Sequence, residues 1–491
     1  MSPYRPLAAV VLAAGEGARI RSGTPKVLHE LCGRPMVLHV VDALAELRVL
    51  ERVVIVVGHG AERVVETLQS QLVTEVPVEF VEQRVQRGTG DAVTVALTSS
   101  AFDDLDAEDD ILVLPGDHPL LRAETIAMLA TEHRNQDAAA TILTAHTSDP
   151  TGYGRVIRDK DDRVARIVEH ADADIEELEV DEINTSIYCF RRNLLAPALR
   201  RLSPENAQGE YYLTDAIEVL RAAGHKVIAV TADDPAEALG VNDRMQLASA
   251  EAVLRGRINR RWMLEGVTMV DPSRTYIDAT VALEPDVRIL PGTILEGRTT
   301  ISAGAVVGPD SHLADTVVGE RAVVENTVAR GAEIGDDCQV GPFAYLRPGT
   351  RLAAGAKAGT FVELKNADIG AGSKVPHLSY IGDAEVGPGV NLGASTITAN
   401  YDGVDKHRTT IGEGVHTSIH TSLVAPVELG DGSETGAGSV VTHDVPPGRL
   451  VKGVPARDSR AAGPKSREDG ATDPDPAHDP EPANPPELDG D

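Results

Sequence analysis

The chain has 491 residues, too many for a single hydrophobic core, so at least two domains are expected. A formal charge of −30 and an aromatic content of 3% argue against a nucleic acid or an anionic membrane as the main partner. Three widely spaced cysteines, Cys32, Cys189 and Cys338, match neither a zinc motif nor a disulfide framework. Without a signal segment or a long apolar run, the sequence predicts a soluble, cytoplasmic protein.

The first half of the chain alternates apolar strands with amphipathic segments. Helical patterns such as Met36–Leu47 and Thr125–Glu132 lie between strands. This alternation predicts an α/β fold, with a mostly parallel sheet and helices on both faces. Ligands of such sheets bind at the carboxyl ends of the strands. The predicted strands are Ala8–Ala13, Val53–Val57, Val78–Glu82, Ile111–Leu114, Ala139–Ala145, Ile187–Phe190 and Val227–Val230.

A glycine-rich loop follows the first strand, in the sequence VVLAAGEGARIRSGTPK. It lacks the Gly-Lys-Ser/Thr of a P-loop and the third glycine of a dinucleotide fingerprint. Gly15 and Gly17 would let backbone N–H groups approach phosphate oxygens, and Arg19 and Lys26 add positive charge. The pattern favours a nucleoside triphosphate site, and a simple turn with two solvated cations stays open as the alternative.

Two further segments end predicted strands near that loop. QRVQRGTGDA, from Gln83, contains a second glycine turn, and LPGDHPLL places Asp117 after a buried strand. An aspartate there could hold a metal ion over phosphates or could cap a helix.

Beyond the first half, the periodicity of the sequence changes twice. Residues 243–264 have helical spacing with Asp243 as a possible cap, which predicts a connecting helix. After it, apolar residues recur every six positions, which is typical of a parallel β-helix of hexapeptide repeats. The in-phase positions are Ile277, Leu283, Ile289, Leu295, Ile301, Val307 and Leu313, then Val328, Ile334, Val340, Leu346 and Leu352.

The later coils carry polar residues that a solvated β-helix face does not need. Around residue 400 an insertion, NYDGVDKHRTT, interrupts the period, and such insertions often build a binding face. His377 could serve as a base for amide formation, because a histidine titrates near neutral pH. The alternative is that the β-helix only assembles the protein. The polar residues are Arg347, Lys365, His377, Tyr380, Asn391, Asn400, Tyr401 and Lys406.

Seven motifs, in order, resemble those of the sugar-nucleotide pyrophosphorylases: LAAGEGARIRSGTPK, GTGDA, PGDHPL, TGYGRV, IVEH, EINTSIY and GVNDR. Joined to a hexapeptide helix, they resemble the bifunctional family that makes UDP-N-acetylglucosamine for cell-wall synthesis. That family transfers an acetyl group from acetyl-CoA to glucosamine 1-phosphate, then a uridylyl group from UTP to N-acetylglucosamine 1-phosphate. The resemblance spans about residues 5 to 457 and implies a Rossmann-like nucleotidyltransferase domain followed by a left-handed parallel β-helix.

The resemblance implies a role for each matching residue in the first domain. Arg19 and Lys26 would stabilise the triphosphate, and Asp117 and Asn242 would bind Mg²⁺. Gly154, Glu169 and Asn184 would hold the sugar. Ala18 and Asp91 depart from the family, which usually has threonine and histidine at these positions. The residues that would hold the uracil and ribose side of UTP are Leu12, Ala13, Ala14, Gly15, Gln83, Gly88 and Thr89. Pro115 and Gly116 are the remaining implied UTP or UDP-sugar contacts.

In the β-helix the resemblance implies an acetyltransferase site with His377 as its base. Ile419 departs from the family, which has a coenzyme-contacting serine there, and either Lys452 or Arg457 could supply a final basic contact. Implied sugar-phosphate contacts are Arg347, Lys365, Tyr380 and Asn391, and implied acetyl-CoA contacts are Ala394, Asn400, Tyr401, Ile419 and Ala437.

The resulting domain hypothesis places the uridyltransferase in residues 1–242, a linker helix in 243–265 and the acetyltransferase in 266–457. Residues 458–491, with ten acids and three bases, form an acidic, proline-rich tail that is predicted to be disordered. The resemblance also implies a homotrimer. Two alternatives stay open: a monofunctional pyrophosphorylase with a scaffolding β-helix, and a non-catalytic subunit with the same two folds.

Overall fold

The computed structural model describes residues 6–103 and 109–461 of the chain. In the described part before residue 232, strands and helices alternate as the sequence predicts. The strands are β1 (Leu7–Ala13), β2 (Glu30–Leu31), β3 (Arg34–Pro35), β4 (Leu50–Val57), β5 (Val78–Glu82), β6 (Asp110–Pro115), β7 (Ala140–His146), β8 (Arg155–Arg158), β9 (Val164–Val168), β10 (Glu182–Arg191) and β11 (Val227–Thr231). The helices are α1 (Met36–Ala45), α2 (Ala61–Gln71), α3 (Thr89–Leu97), α4 (Ala123–Asn135), α5 (Ile175–Leu178), α6 (Arg192–Leu199) and α7 (Asp215–Ala222).

One mostly parallel sheet forms the centre of this region, in the order β11-β7-β10-β6-β1-β4-β5. All seven predicted strands lie in it, and β10 alone on this path runs antiparallel to its neighbours, β6 and β7. A hairpin of β8 and β9 extends from β10. Strands β1 and β6 pair in parallel with Leu12 opposite Pro115, so the segments that follow these two strands emerge side by side.

The central strand β1 is apolar along its whole length because both of its faces are buried. Alternate residues belong to two different cores: Leu7 and Val11 pack on one side of the sheet, and Ala8 and Val10 on the other. This is the pattern expected of a strand covered on both faces. The glycine-rich loop therefore starts from a rigid support.

The predicted connecting helix is confirmed as α8 (Arg244–Leu264). Its cap is Asp243, whose side chain accepts hydrogen bonds from the backbone N–H groups of Met245 and Gln246 at 2.9 and 2.8 Å. Near its other end, Asn259 donates to two backbone carbonyls of the following region, those of Pro272 and Thr275. At its start, Arg244 donates to the Ile20 carbonyl at 3.2 Å, so helix α8 is anchored in both halves of the molecule.

The second half is a left-handed parallel β-helix. Each strand pairs with the strand one coil further on, as Tyr276 with Ile294 and Arg288 with Val306. The first strands are β12 (Thr268–Met269), β13 (Tyr276–Ile277), β14 (Ala282–Leu283), β15 (Arg288–Ile289), β16 (Ile294–Glu296), β17 (Thr300–Ile301), β18 (Val306–Val307), β19 (His312–Ala314), β20 (Val317–Val318), β21 (Val323–Val324), β22 (Val328–Arg330), β23 (Glu333–Ile334) and β24 (Gln339–Val340). The later ones are β25 (Tyr345–Leu346), β26 (Arg351–Leu352), β27 (Lys357–Thr360), β28 (Glu363–Ile369), β29 (Lys374–His377), β30 (Tyr380–Val386), β31 (Ile397–Ala399), β32 (Thr409–Ile411), β33 (Ser422–Val424), β34 (Val427–Leu429), β35 (Glu434–Thr435), β36 (Val440–Val441), β37 (Arg449–Lys452) and β38 (Arg457–Ala461).

The hexapeptide phase is confirmed with one correction. Of the twelve apolar positions predicted to point inward, eleven are buried, but Val328 is 37% exposed and its neighbour Ala329 is buried instead. Two faces of this coil are one residue shorter, so the inward positions run Val324, Ala329 and Ile334. The six-residue pattern is defined by large apolar residues, so it does not reveal a buried alanine.

The insertion near residue 400 is also present. Strand β30 pairs with β32 so that Ala384 lies opposite Thr409, a separation of 25 residues, whereas Glu363 and Tyr380 one coil earlier are 17 apart. The extra residues lie between β31 and β32.

The described chain ends in a hairpin of β37 and β38. Residues 458–461, which the sequence assigned to the disordered tail, belong to strand β38. The remainder of that predicted tail, 462–491, lies outside the described residues. Among the helices of the described ranges, none has the length and apolar character needed to cross a membrane.

The corrected phase predicts different outcomes for one substitution at two adjacent positions. Ala329→Asn places an amide in the β-helix core and should cost about 2 kcal/mol or more of unfolding free energy, whereas Val328→Asn should cost less than about 1 kcal/mol. Thermal and urea unfolding followed by circular dichroism would measure both. A larger loss for Val328→Asn would contradict the assignment of Ala329 to the core.

Candidate functional site

A cavity of about 720 Å³ opens at the carboxyl end of the central sheet. Its walls come from the loop after β1 and the end of β6, from the segments 152–154 and 184–186, and from the turn before α3. Gly116 lies behind the wall, with its N–H donating to the Leu12 carbonyl. The other residues predicted for this site line the cavity: Leu12, Ala13, Ala14, Gly15, Arg19, Lys26, Gln83, Gly88, Thr89, Pro115, Asp117, Gly154, Glu169, Asn184 and Asn242.

The glycine-rich loop closes over Lys26. Gly17 has φ 68°, and a Cβ atom at this position would lie 2.6 Å from Cβ of Lys26. Only glycine combines this backbone conformation with so close an approach. Arg19 follows in a short 3-10 turn and is exposed at the rim of the cavity.

Lys26 connects three distant segments of the chain. Its Nζ donates hydrogen bonds to Oδ2 of Asp117, after β6, and to Oδ1 of Asn242, before α8, the second at 2.8 Å. Nδ1 of His118 lies 2.8 Å from the other Asp117 oxygen. Burial would raise the pKa of Asp117, but the charge of Lys26 and the contact with His118 outweigh burial and hold that pKa well below its usual range.

The oxygen atoms of Asp117 and Asn242 suit a hard cation. Within the described ranges no group of three or more His, Cys, Asp or Glu side chains is arranged to hold a metal ion. One carboxylate and one amide oxygen fit Mg²⁺, which usually keeps few protein ligands and completes its shell with phosphates and water.

On another wall, the half-buried Glu169 and the buried Asn184 are held by residues that sequence reasoning missed. Oε1 of Glu169 accepts a hydrogen bond from the Thr214 hydroxyl at 3.1 Å. Nδ2 of Asn184 donates to the hydroxyl of Tyr188 at 2.9 Å. Burial is the main cause that raises the pKa of Glu169. The motif EYYLTDA, which contains Thr214, was the available signal.

The turn before α3 forms the third side. Gln83 is 4% exposed, and its Nε2 donates to the Gly88 carbonyl at 3.2 Å and to the Asp91 carboxylate at 2.8 Å. Thr89 Oγ1 accepts from the Leu213 N–H at 3.1 Å, which ties this turn to the segment before α7.

A second group of predicted residues lies along one corner of the β-helix. His377 ends strand β29 and is exposed. In each following coil a backbone N–H donates a hydrogen bond to a backbone carbonyl of the coil before it. The Ser395 N–H donates to the His377 carbonyl at 3.1 Å. In the next two coils, His420 donates to the Ala394 carbonyl at 2.8 Å and Gly438 to the Ile419 carbonyl at 2.9 Å. The predicted coenzyme contacts Ala394, Ile419 and Ala437 therefore stack above His377, one coil after another.

Three predicted sugar-phosphate contacts form a clamp on the face that follows this corner: Arg347, Lys365 and Tyr380. Glu363 on β28 pairs with Tyr380 on β30 and with Tyr345 on β25. Arg347 donates to Glu363 at 3.0 Å, and Lys365 donates to Oδ2 of Asp383 at 3.2 Å.

Asp383 is the residue that sequence reasoning missed in this group. It is 9% exposed, and its carboxylate also accepts from the side-chain amides of Asn366 and Asn400. Burial would raise the pKa of Asp383, but these amides and Lys365 outweigh burial and lower it. An acid amid basic and amide residues in LKNADIG…YIGDA was the signal that could have identified it.

Other predicted residues lie apart from the clamp. Asn391 is on the face before the corner, where it bridges Lys374 and His416. Tyr401 is 60% exposed in the insertion, with its hydroxyl donating to the Gly403 carbonyl at 2.7 Å. The two candidates for a final basic contact, Lys452 and Arg457, face each other across the last hairpin.

Comparisons with known proteins cover both halves of the chain. The family model of nucleotidyl transferases matches residues 8–252. A protein of Streptomyces avermitilis called bifunctional protein GlmU is 50% identical over 452 residues, 92% of either chain. Proteins with the same name from Thermobifida fusca and Brevibacillus brevis are 50% and 48% identical, over 92% and 90% of this chain and 92% and 94% of their own.

The half-buried Glu169 predicts a pH-dependent change in stability. Because the pKa of Glu169 is raised in the folded protein, its ionisation at pH 7 lowers the free energy of unfolding. This loss disappears as the pH falls towards 4.5, the ordinary pKa of a glutamate. Glu169→Gln should therefore raise the melting temperature at pH 7 by about 2 °C, and the gain should shrink towards pH 4.5.

Calorimetry between these pH values would measure the difference. Glu66→Gln, at an exposed position on α2, is the matched control and should change little. An equal gain at both pH values would contradict a titration effect at Glu169.

Proposed function

The chain belongs to the family of bifunctional GlmU proteins, and from that membership we propose how its two groups of residues divide the work. It is a transferase of UDP-N-acetylglucosamine synthesis, with a glucosamine-1-phosphate acetyltransferase and an N-acetylglucosamine-1-phosphate uridyltransferase activity. The similarity continues through the β-helix, which argues against the monofunctional alternative. We place uridylyl transfer in residues 1–242 and acetyl transfer in 266–457, joined by 243–265.

The contact of Lys26 with Asp117 and Asn242 is the observation that carries the first assignment. In uridylyl transfer, a phosphate oxygen of N-acetylglucosamine 1-phosphate attacks the α-phosphorus of UTP, and the bond to the leaving pyrophosphate breaks. Lys26 and Arg19 would neutralise the triphosphate, and Gly154, Glu169 and Asn184 would hold the sugar. Mg²⁺ bound by Asp117 and Asn242 would supply further positive charge at the phosphates.

In the second site, the amine of glucosamine 1-phosphate attacks the thioester carbon of acetyl-CoA. The new C–N bond replaces the C–S bond, the coenzyme thiolate leaves, and the amine loses a proton to His377. Arg347, Lys365 and Tyr380 would bind the sugar phosphate. Asp383 would position Lys365 and Asn400, because its carboxylate contacts both. The column of Ala394, Ile419 and Ala437 would contact the coenzyme.

We further propose that the protein is a homotrimer in which neighbouring chains share each acetyltransferase site. Asn391 lies on one face of the column and the clamp of Arg347 and Lys365 on the next, so a single chain does not collect them on one surface. Beside His377, the stacked rings of Phe343 and Phe361 are each 57% exposed, an apolar area that another chain could cover.

A cytoplasmic location fits these assignments. UTP and acetyl-CoA are intracellular metabolites, and all three cysteines are free thiols in the structure.

Reciprocal variants test the division of labour. Lys26→Ala should lower pyrophosphate formation from UTP and N-acetylglucosamine 1-phosphate about 100-fold or more, since it removes a cation at the transferred phosphates. His377→Ala should lower thiol release from acetyl-CoA with glucosamine 1-phosphate about 100-fold or more.

Each variant serves as the folding control of the other, because its second activity should stay within about twofold of wild type. Wild-type protein that releases no thiol would restore the scaffold alternative. Full thiol release by His377→Ala would remove that residue as the base.

A complementation experiment tests the shared site. Arg347→Ala and Asn391→Ala should each be inactive in acetyl transfer, but co-expressed chains should recover about a quarter of wild-type activity, because random trimers contain some intact sites.

The matched control pairs Arg347→Ala with Lys365→Ala. These residues would come from the same chain in every site, so this pair should recover nothing. Recovery in the control, or none in the first pair, would contradict the proposed sharing, and the mass in solution should correspond to three chains.

A further inference from the structure

We propose that Asp91 sets the nucleobase specificity of the uridyltransferase site by holding the side-chain amide of Gln83 with its oxygen towards the cavity. Asp91 is a positioning residue in this scheme and Gln83 is the residue that meets the base. The inference rests on the proposed function of this site, because it takes Gln83 as a contact of the UTP base.

Gln83 has little freedom to change its position. It follows β5, where its backbone N–H donates to the Val57 carbonyl at 2.8 Å, and its side chain is 4% exposed. The residue nevertheless lines the cavity, and its side chain contacts Gly88 there. Its backbone anchor and its burial leave rotation of the terminal amide as the main way to alter what it presents to a ligand.

The surroundings of that amide favour one orientation. Two acceptors face the same end, the Gly88 carbonyl at 3.2 Å and the Asp91 carboxylate at 2.8 Å. An NH₂ group offers two donors, one for each acceptor. A rotation by 180° would place the amide oxygen against a carbonyl and a carboxylate, and both hydrogen bonds would become repulsive contacts. Asp91, together with the Gly88 carbonyl, therefore determines which end of Gln83 faces the cavity.

With both donors used, Gln83 can offer only an acceptor to a ligand. Across the described ranges of the chain, no donor reaches its Oε1. Uracil carries a donor, N3–H, in the position where cytosine has an acceptor nitrogen. An acceptor at this point would bond to uracil and repel cytosine.

Shape alone discriminates poorly between these bases, because uracil and cytosine are nearly the same size. A buried group that hydrogen-bonds one of two isosteric ligands and leaves the other unpaired discriminates far better. Asp91 suits this role better than a neutral donor–acceptor group would, because a carboxylate can only accept. This role would explain the aspartate of the GTGDA motif, at a position where the related family usually has histidine.

The test compares UTP with CTP as substrates of the full-length protein. The readout is the ratio of kcat/KM for the two nucleotides in pyrophosphate formation, with N-acetylglucosamine 1-phosphate as acceptor. Asp91→Leu removes the acceptor at similar size, so the ratio should fall about tenfold, mainly through a higher KM for UTP and a lower one for CTP. Asp91→Asn keeps an acceptor oxygen and should retain the ratio within about threefold.

A purely structural role of Asp91 gives a different result. It would lower activity with both nucleotides equally and leave their ratio unchanged. Acetyl transfer by the same samples reports on the β-helix half and should be unaffected in both variants.

The outcomes separate this inference from the function on which it rests. If the wild-type protein forms no pyrophosphate from UTP, the proposed function fails. If the wild type is active but Asp91→Leu keeps the nucleotide ratio within about twofold, or Asp91→Asn loses it as fully as Asp91→Leu, the role of Asp91 is overturned.

Discussion

The hydrogen-bonded contact of Lys26 with Asp117 and Asn242 is the interaction on which the geometry of the first site depends. Its three residues follow β1, follow β6 and precede α8, so the contact exists only when the sheet and the connecting helix are both in place. The parallel pairing of β1 with β6 brings the first two together, and a hydrogen bond to Gln246 on α8 fixes the third. The glycine-rich loop thereby holds the charged group of Lys26 at one position.

The β-helix site repeats the same arrangement with different residues. Lys365 is held by Asp383, as Lys26 is held by Asp117, and in both cases neighbouring groups lower the pKa of the carboxylate despite burial. A lysine fixed in this way meets an anionic substrate without first losing rotational freedom. Two unrelated folds thus hold a lysine by the same electrostatic means, at the two places where we propose that phosphate binds.

Helix α8 positions a predicted site residue and also connects the two halves of the chain. Its first turn positions Asn242, whose backbone N–H donates to Oε1 of Gln246 at 2.7 Å. At the far end, Asn259 ties the helix to the first coil of the β-helix. In its middle, the Glu251 carboxylate accepts from the backbone N–H of Cys32 at 2.8 Å, and burial raises the pKa of the Cys32 thiol well above its ordinary value.

The sequence alone determined the elements and most of the first site. Strand, helix and six-residue periods reflect which residues are buried locally. The motifs can be recognised from the sequence alone, and all but one of the residues named for that site line a single cavity. What the tertiary structure decided were the partners of those residues: Thr214 beside Glu169, Tyr188 beside Asn184, and Asp383 between Lys365 and Asn400. Such contacts depend on how separate parts of the chain are packed. A local sequence pattern does not show which side chains that packing will bring together. The same holds for Ala329, whose burial follows from the length of a coil and not from its own small, weakly hydrophobic side chain.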